Sequence, residues 1–340
     1  MLAALACVLC PVSALNAQTL TLTDVNLVYS ADTHLEIYVD RSGDALPAGV
    51  CSPQSGLTFH SHERGVPNFG YTDAVIWTHL RLNNQSELER WVVALEHPNM
   101  MDYRLYTQGE DGTLLELRMG TTALDRPLAS RFFASEIVLP AGPTLLCMRF
   151  ATGTSMFLPV RVMSLPVFHE RDRSGQFFLN VYLGCVLVMV MYNLLVWLSI
   201  RDPAYIYYVL YITFFGALLA FLFGLGFEYL WPPGWEANPF QVILLLAAGS
   251  WCFMLLFTRE FLEVVKRVAV FRISYRVVLI IALLQVPVVL FLAPHSRGLV
   301  VVYASILNTG GALLLIGSGI AGVAAGYRPA RIFEIGRESR

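Results

Sequence analysis

Charge is scarce in this chain. Lys, Arg, Asp and Glu together make up 14% of the 340 residues, against about 25% in ordinary soluble domains. The scarcity is uneven: up to about residue 175 the polarity is ordinary, and nearly all the depletion follows. A net charge of −2 and a pI near 6.4 remove any electrostatic case for nucleic-acid binding. Sequence patterns of catalysis are missing too. There is no glycine-rich phosphate loop before a helix, no nucleophile elbow, no di-acidic cyclase signature and no kinase phosphoacceptor box. No cofactor and no metal are expected, and the chain reads as a non-enzyme. Cysteines are few: of the six, Cys7 and Cys10 fall in the first residues, and Cys185 and Cys252 lie in apolar runs as small hydrophobes. Cys51 and Cys147 are candidates for a disulfide if their half is exported, and the sequence leaves their separation open.

What is present divides in two. Residues 1–17 read as a signal peptide, with a short apolar core from Leu2 to Leu9 and small residues at Ala14 or Ala17 before a cut. The alternative is a buried first strand. Residues 18–165 read as an exported all-β domain, a jelly roll or sandwich. Its strand-like runs are Leu35 to Val39, Val75 to Leu82, Trp91 to Leu95, Tyr103 to Thr107, Leu114 to Arg118, Ile137 to Leu139 and Leu145 to Phe150, with a hairpin loop at Gly109 to Gly112. A polar connector, 166–176, precedes an all-α bundle over 177–327. Five uncharged spans are expected near 177–200, 203–227, 239–258, 277–293 and 298–326, each long enough or nearly so to cross about 30 Å of hydrocarbon. Residues 328–340 form a tail.

Positive charges orient the spans. Arg201, then Arg259, Lys266, Arg267, Arg272 and Arg276, then Arg328, Arg331, Arg337 and Arg340 all fall on one side. The opposite loop 228–238 has no Lys or Arg, and 294–297 has only Arg297. That asymmetry puts the N-terminal domain outside and the C-terminus in the cytoplasm. Trp231 and Trp235 then fall at the outer interface.

At this point the residues resemble the bacterial seven-transmembrane receptors with diverse intracellular signalling modules. In the membrane half the resemblance rests on Tyr192-Asn193, on Arg201-Asp202 with Tyr205, Tyr207 and Tyr208, and on Gly224 to Pro232. Arg259 to Leu262 and Gly326 to Arg331 complete it. The exported half resembles the family's second type of extracellular sensor, a jelly roll similar to carbohydrate-binding modules, through Trp77 to Asn84, Trp91, Asp102 to Tyr106 and Phe157 to Val160. The resemblance implies a receptor in the bacterial inner membrane. A small-molecule or carbohydrate ligand would bind outside, and a cytoplasmic output such as a diguanylate cyclase or histidine kinase would respond. It also implies seven spans; here Gly326 to Arg331 looks like the turn before a sixth span and the chain stops at Arg340. The expectation is therefore a truncated product whose output comes from a cytoplasmic partner or is lost. The alternative is a transporter or assembly subunit with a substrate-capturing β-domain, against which the charge-free spans argue.

Several residues stand out individually. Trp77, Arg81, Tyr103 and Tyr106 could form a sugar-binding face, with rings stacking on pyranose C–H groups. Trp77 and Arg81 share a strand face, so a wet Arg81 implies a Trp77 near solvent; Trp91 reads as core. His60, His62 and Glu63 read as a surface loop, one ligand short of a structural metal site. Ser318, Gly322 and Gly326 form a small-residue stripe that would face another helix, lipid or a second copy in a homodimer. Asn193 and Asn308 are polar within apolar spans and are expected to bond between helices.

Overall fold

A computed structural model describes residues 19–324 except 53–55, 63, 109–112, 124–126, 154, 232–237, 263–264, 266–267 and 293–296. The expected signal peptide, the Gly109 to Gly112 loop, Glu63, Trp235, Gly326 and the tail lie outside the described residues. The chain forms two units: a β unit reaching to Phe168, and a helical unit from His169 onward that also takes in residues 121–124 and 129–132.

The β unit contains β1 (Leu20–Leu22), β2 (Val28–Ser30), β3 (Leu35–Asp40), β4 (His60–Ser61), β5 (Asn68–Tyr71), β6 (Val75–Asn84) and β7 (Arg90–Leu95). It continues with β8 (Asp102–Gln108), β9 (Leu114–Met119), β10 (Phe133–Val138), β11 (Gly142–Ala151), β12 (Ser155–Phe157) and β13 (Val160–Met163). A seven-stranded sheet runs β4-β3-β6-β11-β8-β9, with β1 parallel to β6; a four-stranded sheet runs β10-β7-β13-β2; β12 and β5 pair separately. Alternation drives the sandwich. Ile76, Leu80, Leu82, Tyr103, Leu105, Leu146, Met148 and Phe150 from the larger sheet meet Trp91, Val93, Leu95, Phe133 and Val162 from the smaller in one core. Trp91 is fully buried and its indole N–H donates to the Leu88 carbonyl at 3.0 Å, so the large ring is packed without an orphaned donor.

The outward face of the larger sheet is covered in part. A segment carrying the one-turn helix α1 (Pro47–Val50) crosses it. Val50 and Cys51 pack with Val75, Trp77, Tyr106 and Cys147 in a second apolar cluster flanked by Tyr38, Leu57 and Phe59. Cys51 and Cys147, 96 residues apart in sequence, are disulfide-bonded with their Cα atoms 5.4 Å apart.

The helical unit contains α2 (Leu165–Ile200, whose first turn lies in the β unit), α3 (Pro203–Leu222), α4 (Pro239–Phe261), α5 (Ala269–Leu292) and α6 (Arg297–Ala324). All five are long and apolar enough to span a membrane. The connector 166–176 is thus the opening of a 36-residue helix, not a separate linker; polar side chains end a hydrophobic run without ending its backbone hydrogen bonding. The second span is shorter than expected. Its helix stops at Leu222, Gly224 takes a positive φ of 91°, and a π-helical turn, Gly226–Leu230, follows. The turn from α2 to α3 is tight for local reasons. Arg201 adopts φ 61°, the Asp202 carboxylate accepts from the Ala204 amide at 2.8 Å, and Pro203 starts the new helix. Asn238 and Pro239 open α4 in the same way.

Candidate functional site

The outward face of the larger sheet carries the chemistry of the β unit. Register places Glu116, Tyr106, Cys147, His79 and Glu36 in one row across β9, β8, β11, β6 and β3. The next row contains Arg118, Arg104, Arg149, Trp77 and Tyr38. The α1 segment lies over the β3–β6–β11 part of these rows. Its Val50 carbonyl accepts from the His79 Nε2–H at 2.9 Å, Phe59 stacks on the His79 ring at 4.0 Å between centroids, and Cys51 is bonded to Cys147. Burial holds His79 below the ordinary histidine range, with the Val50 carbonyl and Glu36 opposing the shift. At neutral pH it is therefore an uncharged donor. Asp40 anchors the start of the segment by accepting from the amides of Ser42 (3.1 Å), Gly43 (2.9 Å) and Ala45 (3.0 Å).

Where the segment ends, a pocket of about 380 Å³ opens between it and strands β8, β9 and β11. Ala48, Cys51 and Ser52 form one wall; Tyr106, Gln108, Leu114, Leu145 and Cys147 form the other. The lining is uncharged, with a phenol, an amide and a hydroxyl set among aliphatic groups. Burial, then Glu116, push the Tyr106 phenol up, while Arg104 and Arg149 act the other way, so the group remains protonated; its oxygen is buried and the ring meets the pocket. Such a lining suits a small neutral molecule with hydroxyl or amide groups.

Beside the pocket three arginines converge on one carboxylate. Arg104 Nε lies 3.1 Å from Asp102 Oδ2 and Arg118 Nε 3.2 Å from Oδ1, while Arg149 Nη1 also donates to Oδ2. Arg104 Nη1 reaches Glu116 at 3.1 Å. Asp102 thus ties together cations on β8, β9 and β11. Replacing it by Asn is expected to cost about 2 kcal/mol; breaking a buried pair costs more, and partial exposure of the arginines reduces the effect. Hydrogen exchange of the β8, β9 and β11 amides in the Asp102→Asn variant checks this, and a change under about 0.5 kcal/mol would show that water replaces the carboxylate.

Residues 32–164 match the family model described as 7TMR-DISM extracellular 2, and residues 175–337 match that described as 7TM diverse intracellular signalling. The chain belongs to the seven-transmembrane receptors with diverse intracellular signalling modules. It is a multi-pass membrane signalling receptor with an extracytoplasmic N-terminal domain. No curated protein matches the chain.

In this receptor the residues singled out from the sequence are dispersed. Tyr103 is fully buried in the sandwich core, stacked on Phe150 at 5.0 Å. Trp77 does share a face with Arg81, yet Trp77 is 1% exposed while the Arg81 side chain is 45% exposed. The step from a wet Arg81 to a wet Trp77 fails because the α1 segment covers one end of β6 and not the other. Neither Trp77 nor Tyr103 offers a ring face to a sugar. Arg81 pairs with Glu36 at 3.3 Å and lies across the register from the pocket residue Leu145. Tyr106 alone of the four lines the pocket. Ala48, Ser52, Gln108, Leu114 and Leu145 carried no sequence signal of their own. The pairing of Cys51 with Cys147 is what brings their segments together.

His60 lies in the edge strand β4, paired with Ile37. In the receptor's helical unit, Ser318 is fully buried and its hydroxyl lies 2.8 Å from that of Tyr275 on α5. Ser318 of the small-residue stripe therefore faces a neighbouring helix of the same chain. Asn193 donates to Met189 of its own helix at 2.8 Å, not to a second helix, so it satisfies itself locally. Asn308 borders a groove of about 220 Å³ with Tyr211, Ser250 and Trp251. Trp231 packs edge-on to Phe221 and Phe227, capping the turn after α3.

Proposed function

We propose that the chain is the sensor part of a receptor of the bacterial inner membrane, and that it binds a small neutral ligand, such as a carbohydrate, in the pocket centred on Tyr106. The observation that carries the reading is the uncharged polar–apolar lining beside a latched segment on the extracytoplasmic domain. Gln108 and Ser52 supply hydrogen bonds, the Tyr106 ring, Leu114 and Leu145 the apolar contact, and Arg81 a charged rim. A ligand touching both walls binds the closed segment better than an open one, and that differential affinity shifts the population. The signal then passes through the helices to a cytoplasmic output, such as a diguanylate cyclase or histidine kinase.

The test is a thermal-shift screen of the full chain in lipid nanodiscs against neutral mono- and disaccharides. A stabilising sugar is expected, and Leu145→Trp, which crowds the pocket, is expected to abolish its shift while Gln108→Leu weakens the sugar's affinity by about tenfold. A shift unaffected by Leu145→Trp would move the ligand elsewhere. Ion or sugar flux in reconstituted vesicles would favour a transporter instead.

A further inference from the structure

The loop between β9 and β10 contributes residues 121–124 and 129–132 to the helical unit. Within it, Arg131 makes an ion pair with Asp172 of α2, Nε to Oδ1 at 3.6 Å. Both side chains are largely buried, at 15% and 9% exposure. The buried Ser130 side chain also reaches Asp172.

Gly175, one turn further along α2, explains how the guanidinium fits. A Cβ there would stand 2.1 Å from Arg131 Nη2 and 3.0 Å from Cζ. Gly184, further along the same helix, has nothing within 4 Å of such a Cβ. A glycine inside a helix costs about 1 kcal/mol relative to alanine. At position 175 it gives Arg131 a seat directly on the helix backbone. The next residue continues the chain of contacts. Gln176 donates through Nε2 to Asp172 Oδ2 at 3.2 Å and to Glu228 Oε2 at 3.3 Å. Glu228 belongs to the π-helical turn between α3 and α4, a conformation that often marks functional positions.

We propose that Arg131, seated on Gly175 and paired with Asp172, is the point at which the β9–β10 loop moves α2, and that Gln176 passes this movement to Glu228 in the turn between α3 and α4. The role as a transmission contact rests on the receptor reading above; the coupling itself is measured without ligand, so the two fail separately.

The experiment is hydrogen–deuterium exchange of the full chain in nanodiscs, read at amides 169–176 and 226–230. Arg131→Ala and Gly175→Ala are each expected to speed exchange at 226–230 by about tenfold, the loss of one largely buried charged contact. In a Gln176→Leu background Arg131→Ala should still speed exchange at 169–176 but add nothing at 226–230. Two results overturn the proposal: Arg131→Ala confined to 169–176 in the parent chain, or effects of Arg131→Ala and Gln176→Leu that simply add at 226–230. Should Arg131→Ala fail to fold, Arg131→Lys, which keeps the charge but loses the fork, is read by the same criteria. If coupling fails while Leu145→Trp still abolishes a sugar's thermal shift, the receptor reading stands and the signal takes another route.

Discussion

Replacing both Cys51 and Cys147 by serine is expected to destabilise the β unit by about 4 kcal/mol, most of what a single domain has to spare. The bridge closes 96 residues of chain, a loop whose closure restricts the unfolded ensemble strongly. Its position adds a second effect. Both cysteines line the pocket, and the bridge, with the His79–Val50 hydrogen bond, holds the α1 segment down. Asp40 fixes only the start of that segment. The double variant should therefore show faster amide exchange over residues 46–52 and lose affinity for whatever occupies the pocket. Urea titration of parent and variant chains, followed by exchange at β6 and β11, measures the stability term. A difference below about 1 kcal/mol would mean that the segment is held by its apolar contacts alone.

The second large effect is acid lability. His97 packs against Phe157 with the rings tilted and their centroids 4.0 Å apart, and is 3% exposed. Burial lowers its pKa to about 4, against a smaller opposing contribution from the Ser155 backbone. The unfolded chain titrates near pH 6.5. Between those values the unfolded state holds a proton that the folded state does not. Stability is therefore full above about pH 6.5 and declines as the pH falls towards about 4, by about 3 kcal/mol in all. His79 and His34, also lowered by burial, act with the same sign. The His97→Phe variant should lose most of this slope. Thermal melts at pH 7 and pH 4.5 decide: equal slopes in parent and variant would place the acid sensitivity elsewhere.

The legible and the illegible parts of this receptor differ in physical origin. Strand β6 was readable because its alternation is local, and the spans because hydrocarbon demands long uncharged runs. The sheet partners β2, β5 and β13 are three or four residues long, too short for alternation to register. Trp77 could not be placed by parity, because its cover comes from a segment about thirty residues earlier whose path is set by Cys51, Asp40 and His79. Polarity hid the start of α2, since a helix leaving the membrane changes its solvent and not its hydrogen bonds. Gly175 carries no local sequence signal, because the side chain that rests on it, Arg131, comes from the β9–β10 loop.

The length of α2 has a mechanical consequence. At 1.5 Å per residue its 36 residues extend about 54 Å, well beyond the roughly 30 Å of hydrocarbon. Its interior contains no proline, and only 6% of its apolar window is buried within the protein. A shaft of this kind has no built-in joint at which to bend and little packing to resist turning. Whatever pushes on it outside the bilayer must arrive at the Arg201–Asp202 corner as a rotation, a tilt or a stroke along its axis.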